Sequence, residues 1–187
     1  MRDFLEKLDQ KTIIALFVFI FMGVTLSDKY ASKHLLAKDE KIKKIIMEST
    51  DGKKIPFYSR KSAKHRIIYS ISPDCTFCGF QKTMIDFAFK FISNDQWEIM
   101  PVAFDFASKD LIRAYKAGYY RTQTVYVGNE QIKKILKIQQ HPSIYFITSN
   151  GYVYSRSALP STFIGILYNA LQIEEFDEND KPILHRI

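Results

Sequence analysis

The chain has 187 residues, the size of one domain with an appendage. Hydrophobic residues make up 47% of it, enough for a sizeable core, and the net charge of +7 fits a solvated surface that favours acidic partners or an anionic membrane. Two cysteines exclude a disulfide-rich scaffold, and the lysines form no basic run with interleaved aromatic residues, so we expect no nucleic-acid partner.

An uncharged stretch, residues 12–27, contains an almost wholly apolar run at 13–26. A cleaved signal peptide needs a small-x-small cleavage site, which is poor here. A membrane-spanning anchor uses about 20 residues, and snorkelling of Lys11 and Lys29 extends the run towards that length. The absence of a polar face and the terminal position argue against a buried core helix. We predict an uncleaved signal-anchor or transmembrane segment over residues 1–28, with the cleaved form as the alternative.

The body of the chain begins with a predicted hairpin after a polar juxtamembrane linker at residues 29–41. Two β-capable runs within residues 42–58 flank Asp51 and Gly52, a strong two-residue turn signal. Residues 66–71 follow as a nearly continuous apolar run. Such a run is typical of a central strand that is covered on both faces of a sheet.

Two cysteines at C-x-x-C spacing, Cys75 and Cys78, follow that strand. Residues 79–92 repeat apolar side chains every three or four positions, which predicts a helix. The pair therefore lies where a strand ends and a helix begins, and there the unpaired N–H groups and the helix dipole stabilise a thiolate. The second thiol, one turn along the helix, is close enough to form a disulfide with the first. This is the arrangement needed for reversible dithiol chemistry.

A zinc site and a purely structural disulfide are the alternatives for this pair. Zinc would need two further ligands, but the chain has no other cysteine, and its four histidines show no H-x(3–5)-H spacing. A structural disulfide would close a very short loop, which constrains the unfolded chain little. We predict redox chemistry, with no metal and no cofactor beyond the disulfide itself.

The rest of the chain alternates strands and helices. Ser108 is a suitable N-cap for a predicted helix at 108–119. Pro160 is a suitable first residue for a predicted helix at 160–171. The predicted elements are a strand at 97–104 that ends in Asp105, a helix at 108–119, a short strand at 124–127, a short helix at 130–136, a strand at 143–148 preceded by His141 and Pro142, a second hairpin turn at Asn150 and Gly151, a strand at 152–156, an amphipathic helix at 160–171 and an acidic, loosely held tail at 173–187.

Together these elements resemble the thioredoxin superfamily, and specifically its membrane-anchored members of the TlpA/ResA type. The resemblance covers about residues 42–171 and depends on the Asp-Gly hairpin, the SPDCTFC segment after an apolar strand, and HPSIYFI followed by Asn-Gly. It implies an α/β, thioredoxin-like fold over residues 42–172, with a central mixed β-sheet flanked by helices and an N-terminal hairpin.

The resemblance also implies roles for individual residues. Cys75 would attack a partner's disulfide and Cys78 would resolve the mixed disulfide. Pro142 would follow a cis peptide bond and face the pair, which leaves the backbone of His141 free to bind a substrate segment. The implied partners are protein thiols and disulfides and a membrane or extracytoplasmic redox partner. The implied location is a bacterial inner membrane crossed once, with the C-terminal domain in the periplasm or outside the cell. The lysines after residue 28 outnumber the basic residues before residue 12, however, and favour the opposite orientation.

The sequence departs from the family pattern next to the first cysteine. Asp74 replaces the usual tryptophan, and a carboxylate there disfavours the thiolate. Thr76 and Phe77, between the cysteines, carry no positive charge. These residues predict a reducing or middling potential, whereas a partly protonated His141 near Cys75 would act in the opposite direction.

Two other functions are compatible with the same residues. A copper chaperone of the Sco type uses two cysteines and a histidine on a related fold, but its cysteines are further apart in sequence. A non-catalytic adaptor in a membrane assembly would use the fold as a binding surface. Asp105 could assist proton transfer, although a solvated loop carboxylate is the simpler interpretation.

Overall fold

The computed structural model describes residues 32–42, 45–56, 64–92, 95–121, 123–158 and 160–173. Within these ranges the chain forms a short 3-10 helix at Ser32–His34, seven strands and four α-helices. The strands and α-helices are, in chain order, β1 (Ile46–Ser49), β2 (Lys54–Pro56), β3 (His65–Ile71), α1 (Cys78–Ala88), β4 (Trp97–Ala103), α2 (Lys109–Tyr119), β5 (Tyr126–Val127), α3 (Glu130–Ile135), β6 (Ile144–Ile147), β7 (Val153–Ser157) and α4 (Phe163–Ile173).

The seven strands form one mixed sheet in the order β2-β1-β5-β4-β3-β6-β7. Strand β3 lies near its centre, parallel to β4 and antiparallel to β6. All but the first residue of β3 are buried, which explains its nearly continuous apolar sequence. The predicted central mixed sheet and its doubly covered strand are confirmed.

Both predicted hairpins are present. Strands β1 and β2 pair antiparallel around Asp51 and Gly52, and β6 and β7 pair around Asn150 and Gly151. The two glycines have φ angles of 82° and 85°, in the left-handed region that an L side chain rarely adopts. The turn residues were therefore informative because each turn needs this backbone conformation.

Helices cover both faces of the sheet. One apolar cluster joins α1, α2 and α4 to one face, with Ile85, Ile112 and Ile166 among its buried members. The other cluster joins α3 to the opposite face. Leu35 and Leu36 belong to this second cluster, so the segment that the sequence assigns to a juxtamembrane linker packs against the domain from Ser32 onwards.

The helix starts differ in how well the sequence predicts them. The hydroxyl oxygen of Ser108 accepts a hydrogen bond from the Leu111 N–H at 3.3 Å, which confirms the predicted cap of α2. Helix α4 begins at Phe163, so the predicted start at Pro160 is wrong. The reason is that Thr162 supplies the cap, since its hydroxyl oxygen accepts from the Gly165 N–H at 3.2 Å.

The buried side of α4 also differs from the prediction. Ile166, Ala170 and Ile173 are fully buried, whereas Leu171, predicted to lie on the apolar face, is 48% exposed. Helical periodicity shows that apolar residues share a side, but the packing against α1 and the sheet decides which side is covered.

No helix within the described ranges is both long and apolar enough to cross a membrane. The predicted anchor over residues 1–28 lies outside the described residues, and so does the tail from residue 174 onwards. Both therefore stay predictions.

Candidate active site

The two cysteines form a disulfide just beyond the end of β3. Their Cα atoms are 5.4 Å apart. Cys78 is the first residue of α1 and is fully buried, whereas Cys75 is half-buried in the turn before the helix. Cys75 is therefore the cysteine that a reacting partner can approach, while Cys78 is covered by protein.

The start of α1 favours negative charge on the cysteines. Phe77 occupies the N-cap position and supplies no side-chain hydrogen bond, and the first turn contains no acidic residue. The first backbone N–H groups of the helix are thus left without a capping side chain, and they carry the positive end of the helix dipole. This end of α1 can stabilise a thiolate on the turn that precedes it.

Ser70 connects the buried cysteine to the loop that precedes β6. Its carbonyl oxygen lies 3.7 Å from the sulfur of Cys78. Its hydroxyl oxygen accepts a hydrogen bond from the Ser143 N–H at 2.8 Å, and its own N–H donates to the Ser143 carbonyl at 2.9 Å. The peptide bond before Pro142 is cis, as the resemblance implies. These bonds hold the cis-proline loop beside the strand that leads to the cysteines.

Sequence reasoning missed both serines as site residues. Each is fully buried, although hydroxyl side chains are costly to bury unless they are hydrogen-bonded. The available signal was a serine inside an otherwise apolar central strand. Such a residue usually has a specific partner in the folded structure.

His141 faces away from solvent and contacts two residues at the end of β4. Its ring stacks on Phe104 with a centroid distance of 5.7 Å, and its Nε2 atom is 3.2 Å from an Asp105 carboxylate oxygen. Burial lowers the pKa of His141 below its ordinary value, and the hydrogen bond to Asp105 partly opposes that shift. The neutral imidazole is therefore favoured, and the predicted electrostatic effect of His141 on Cys75 stays a prediction.

Asp105 is held by a lysine that the sequence did not single out. Both Asp105 carboxylate oxygens accept hydrogen bonds from Lys133 on α3, at 2.8 and 2.9 Å. This lysine is the largest cause of the lowered pKa of Asp105, and His141 adds to it. The carboxylate thus links the residues after β4 to α3 by an ion pair and to the cis-proline loop by a hydrogen bond.

Asp74 and Phe77 lie at the surface of the cysteine turn. Asp74 is exposed, and the Phe77 side chain is 58% exposed. An exposed aromatic ring between the two cysteines offers an apolar contact to a partner polypeptide. The adjacent carboxylate makes the surroundings of Cys75 more negative, which disfavours its thiolate.

The predicted site residues thus fall into two groups. Cys75, Cys78, Asp74 and Phe77 form the turn and the start of α1, while Pro142 and His141 lie in the loop before β6. Across the described ranges, no three His, Cys, Asp or Glu side chains are grouped closely enough to hold a metal ion.

Comparison with known proteins identifies the fold through solved structures. No protein-family model matches the chain, and no curated protein matches it. The thioredoxin domain of a thiol-disulfide oxidoreductase from Bacteroides vulgatus superposes with a TM-score of 0.60 at 14% identity, covering 73% of this chain and 96% of that one.

Two further solved structures are similar to the same extent. StoA from Bacillus subtilis has a TM-score of 0.58 and 11% identity, covering 68% of this chain and 96% of that one. The exposed lipoprotein thioredoxin Etrx1 from Streptococcus pneumoniae has a TM-score of 0.59 and 16% identity, covering 69% of this chain and 98% of that one. The chain therefore has the thioredoxin-like fold that its sequence predicts.

Proposed function

We propose that the chain is a thiol-disulfide oxidoreductase, which exchanges the disulfide of Cys75 and Cys78 with cysteines of other proteins. The observation that carries this proposal is an accessible cysteine joined to a buried one at an uncapped helix start. The thioredoxin-like fold supports it, since the similar structure from Bacteroides vulgatus is a domain of a thiol-disulfide oxidoreductase.

The geometry assigns a different step to each cysteine. The thiolate of Cys75 attacks one sulfur of a partner disulfide, so that a Cys75–partner bond forms and the second partner sulfur leaves as a thiolate. Cys78 then loses its proton and attacks the sulfur of Cys75, which closes the protein disulfide and releases the first partner sulfur. The partner gains two electrons and two protons, and the protein dithiol is oxidised.

We infer that reduction of the partner is the favoured direction. Asp74 places a carboxylate beside Cys75, and the two residues between the cysteines are uncharged. A less favoured thiolate makes the reduced protein less stable relative to its disulfide, and this lowers the reduction potential.

We further propose that residues 12–27 anchor the protein in a membrane, with the domain on the extracytoplasmic side. The apolar run at 13–26 and its flanking lysines support the anchor. An oxidising compartment would also supply the disulfide-bonded partners that such a reductase needs.

A trapping experiment on the full chain tests the exchange. The substitution Cys78→Ser removes only the second step, so a mixed disulfide between Cys75 and a disulfide-bonded protein should accumulate on non-reducing gels. The matched substitution Cys75→Ser should give no adduct, because Cys78 is buried. Equal adduct yields from the two variants, or none from either, would contradict the proposal.

A further inference from the structure

The outer surface of α1 and α4 is unusually apolar. Six large side chains on these two helices, and on the turn after α1, are between 40% and 64% exposed. We call this surface the outer aromatic face, and it consists of Phe80, Phe87, Phe91, Ile164, Tyr168 and Leu171. Aromatic side chains have areas of about 150–250 Å², so the face exposes roughly 600 Å² of mainly apolar surface. That is the upper end of what a monomer leaves open to water.

The face is continuous across the two helices. Phe80, Phe87 and Phe91 are seven and four residues apart, and therefore lie on one side of α1 and its extension. The Phe87 ring is 5.0 Å from the ring of Phe163, which precedes Ile164 at the start of α4. The two apolar stripes thus lie side by side, because α1 and α4 pack against each other.

Helix α4 has the composition of a covered helix. From Phe163 to Ile173 it contains no charged residue. A surface helix normally presents charged side chains to water on the side opposite the core. The side chains of α4 that point outward are instead Ile164, Tyr168 and Leu171.

The described part of the chain begins close to this face. The Ser32 hydroxyl oxygen accepts a hydrogen bond from the Ala158 N–H, and three residues later the Ser161 N–H donates to Gln81 on α1. Three residues span at most about 10 Å, so Ser32 lies near the first turn of α1, and the six residues that separate Ser32 from position 26 in the sequence are a chain of at most about 20 Å. Such a short tether gives the face a high effective concentration at any surface that holds the run.

We propose that the outer aromatic face rests on the surface of the lipid bilayer, with its aromatic and aliphatic side chains at the level of the headgroups. This inference relies on the proposed anchor at residues 12–27. Amphipathic helices rich in aromatic residues bind bilayers in this way, with the apolar side submerged and cations beside it. Lys90 supplies such a cation, because its Nζ atom is 5.6 Å from the centre of the Phe87 ring.

The place of the face in the fold favours a bilayer over a protein partner, because a short stretch of chain links it to the proposed anchor. A bilayer needs no matching shape and can accept side chains that project singly.

The orientation also has a consequence for substrates. Phe80 lies two residues after Cys78, so the cysteine pair would be held near the membrane and would act on cysteines close to its surface.

Tryptophan quenching by brominated lipids tests the proposal with the full chain in phosphatidylcholine vesicles. Phe91→Trp and Tyr168→Trp place a reporter on the face, and Gln131→Trp is the matched control, since it is exposed on α3 across the sheet. The native Trp97 is buried and provides the baseline. We expect bromine on the upper acyl chain to remove more than half of the added fluorescence at positions 91 and 168, and to leave position 131 unchanged. Because the contact is apolar, high salt should not restore the fluorescence.

Three outcomes would overturn the proposal. Equal quenching at all three positions would show that the face has no preferred contact with lipid. Absence of quenching in vesicles that still carry the protein on flotation would refute the docking while leaving the anchor intact. Failure of the chain to float with vesicles would refute the anchor together with the docking. The trapping of a mixed disulfide through Cys75 is measured separately and depends on neither result.

Discussion

The substitution Ser70→Ala tests whether the buried serine pair supports the site. Ser70 and Ser143 are both fully buried, and the Ser143 N–H donates to the Ser70 hydroxyl oxygen at 2.8 Å. Alanine removes this acceptor and leaves a buried N–H without a side-chain partner, which costs about 1–3 kcal/mol of unfolding free energy. A loss of about 2 kcal/mol lowers the Tm of a chain of this size by about 4–8 °C.

Thermal unfolding of the full chain in detergent, followed by circular dichroism, measures this effect. Thr83→Ala is the matched control, because its hydroxyl is exposed on α1 and donates only to the Gly79 carbonyl oxygen. The control should change the unfolding free energy by less than about 0.5 kcal/mol. If the two variants unfold at the same temperature, the serine pair does not stabilise the cis-proline loop, and the reasoning is refuted.

Three further predictions concern pH, reactivity and packing. Burial lowers the pKa of His65 and His141 from an ordinary value of 6.5, so below that pH the unfolded chain binds more protons than the folded one. The free energy of unfolding should therefore be highest above pH 6.5 and fall as the pH drops below it. Replacing both residues by glutamine should flatten this dependence of the unfolding free energy on pH, as measured by denaturant titrations. Asp74→Asn should increase the fraction of Cys75 thiolate and thus its alkylation rate near neutral pH, and an unchanged rate would show that the carboxylate has no influence. Gln81→Met should lower the free energy of unfolding by about 1–3 kcal/mol in denaturant titrations, because the fully buried Gln81 amide donates one hydrogen bond to the Ser161 backbone and accepts another from it. A smaller loss would mean that water replaces these two bonds.

Local features were the most predictable from the sequence. Gly52 and Gly151 marked the hairpin turns because only a few residues adopt positive φ angles readily. Ser108 marked the start of α2 because its hydroxyl satisfies an N–H one turn away. The central strand β3 was predicted because burial on both sides requires an apolar run. In each case the cause lies within a few residues of the signal.

Features that depend on distant parts of the chain were not predictable. Ser70 and Ser143 are 73 positions apart, and Lys133 reaches Asp105 over 28 positions. These residues meet because of the order of the strands in the sheet. The spacing of residues along the sequence does not reveal that order. The same limit applies to Leu171, since periodicity groups the apolar residues of a helix and only tertiary packing decides which of them are covered.

The central claim is that Cys75 and Cys78 form a reversible disulfide, and that their reduced, dithiol form donates electrons to partner disulfides. The most direct test is to equilibrate the full chain with graded ratios of reduced to oxidised glutathione and to measure the fraction of disulfide. We predict a reduction potential of about −200 mV or lower, as expected for an electron donor to protein disulfides. A value near about −120 mV would contradict the proposed direction and indicate an oxidant. A pair that never exchanges with glutathione would contradict the oxidoreductase itself.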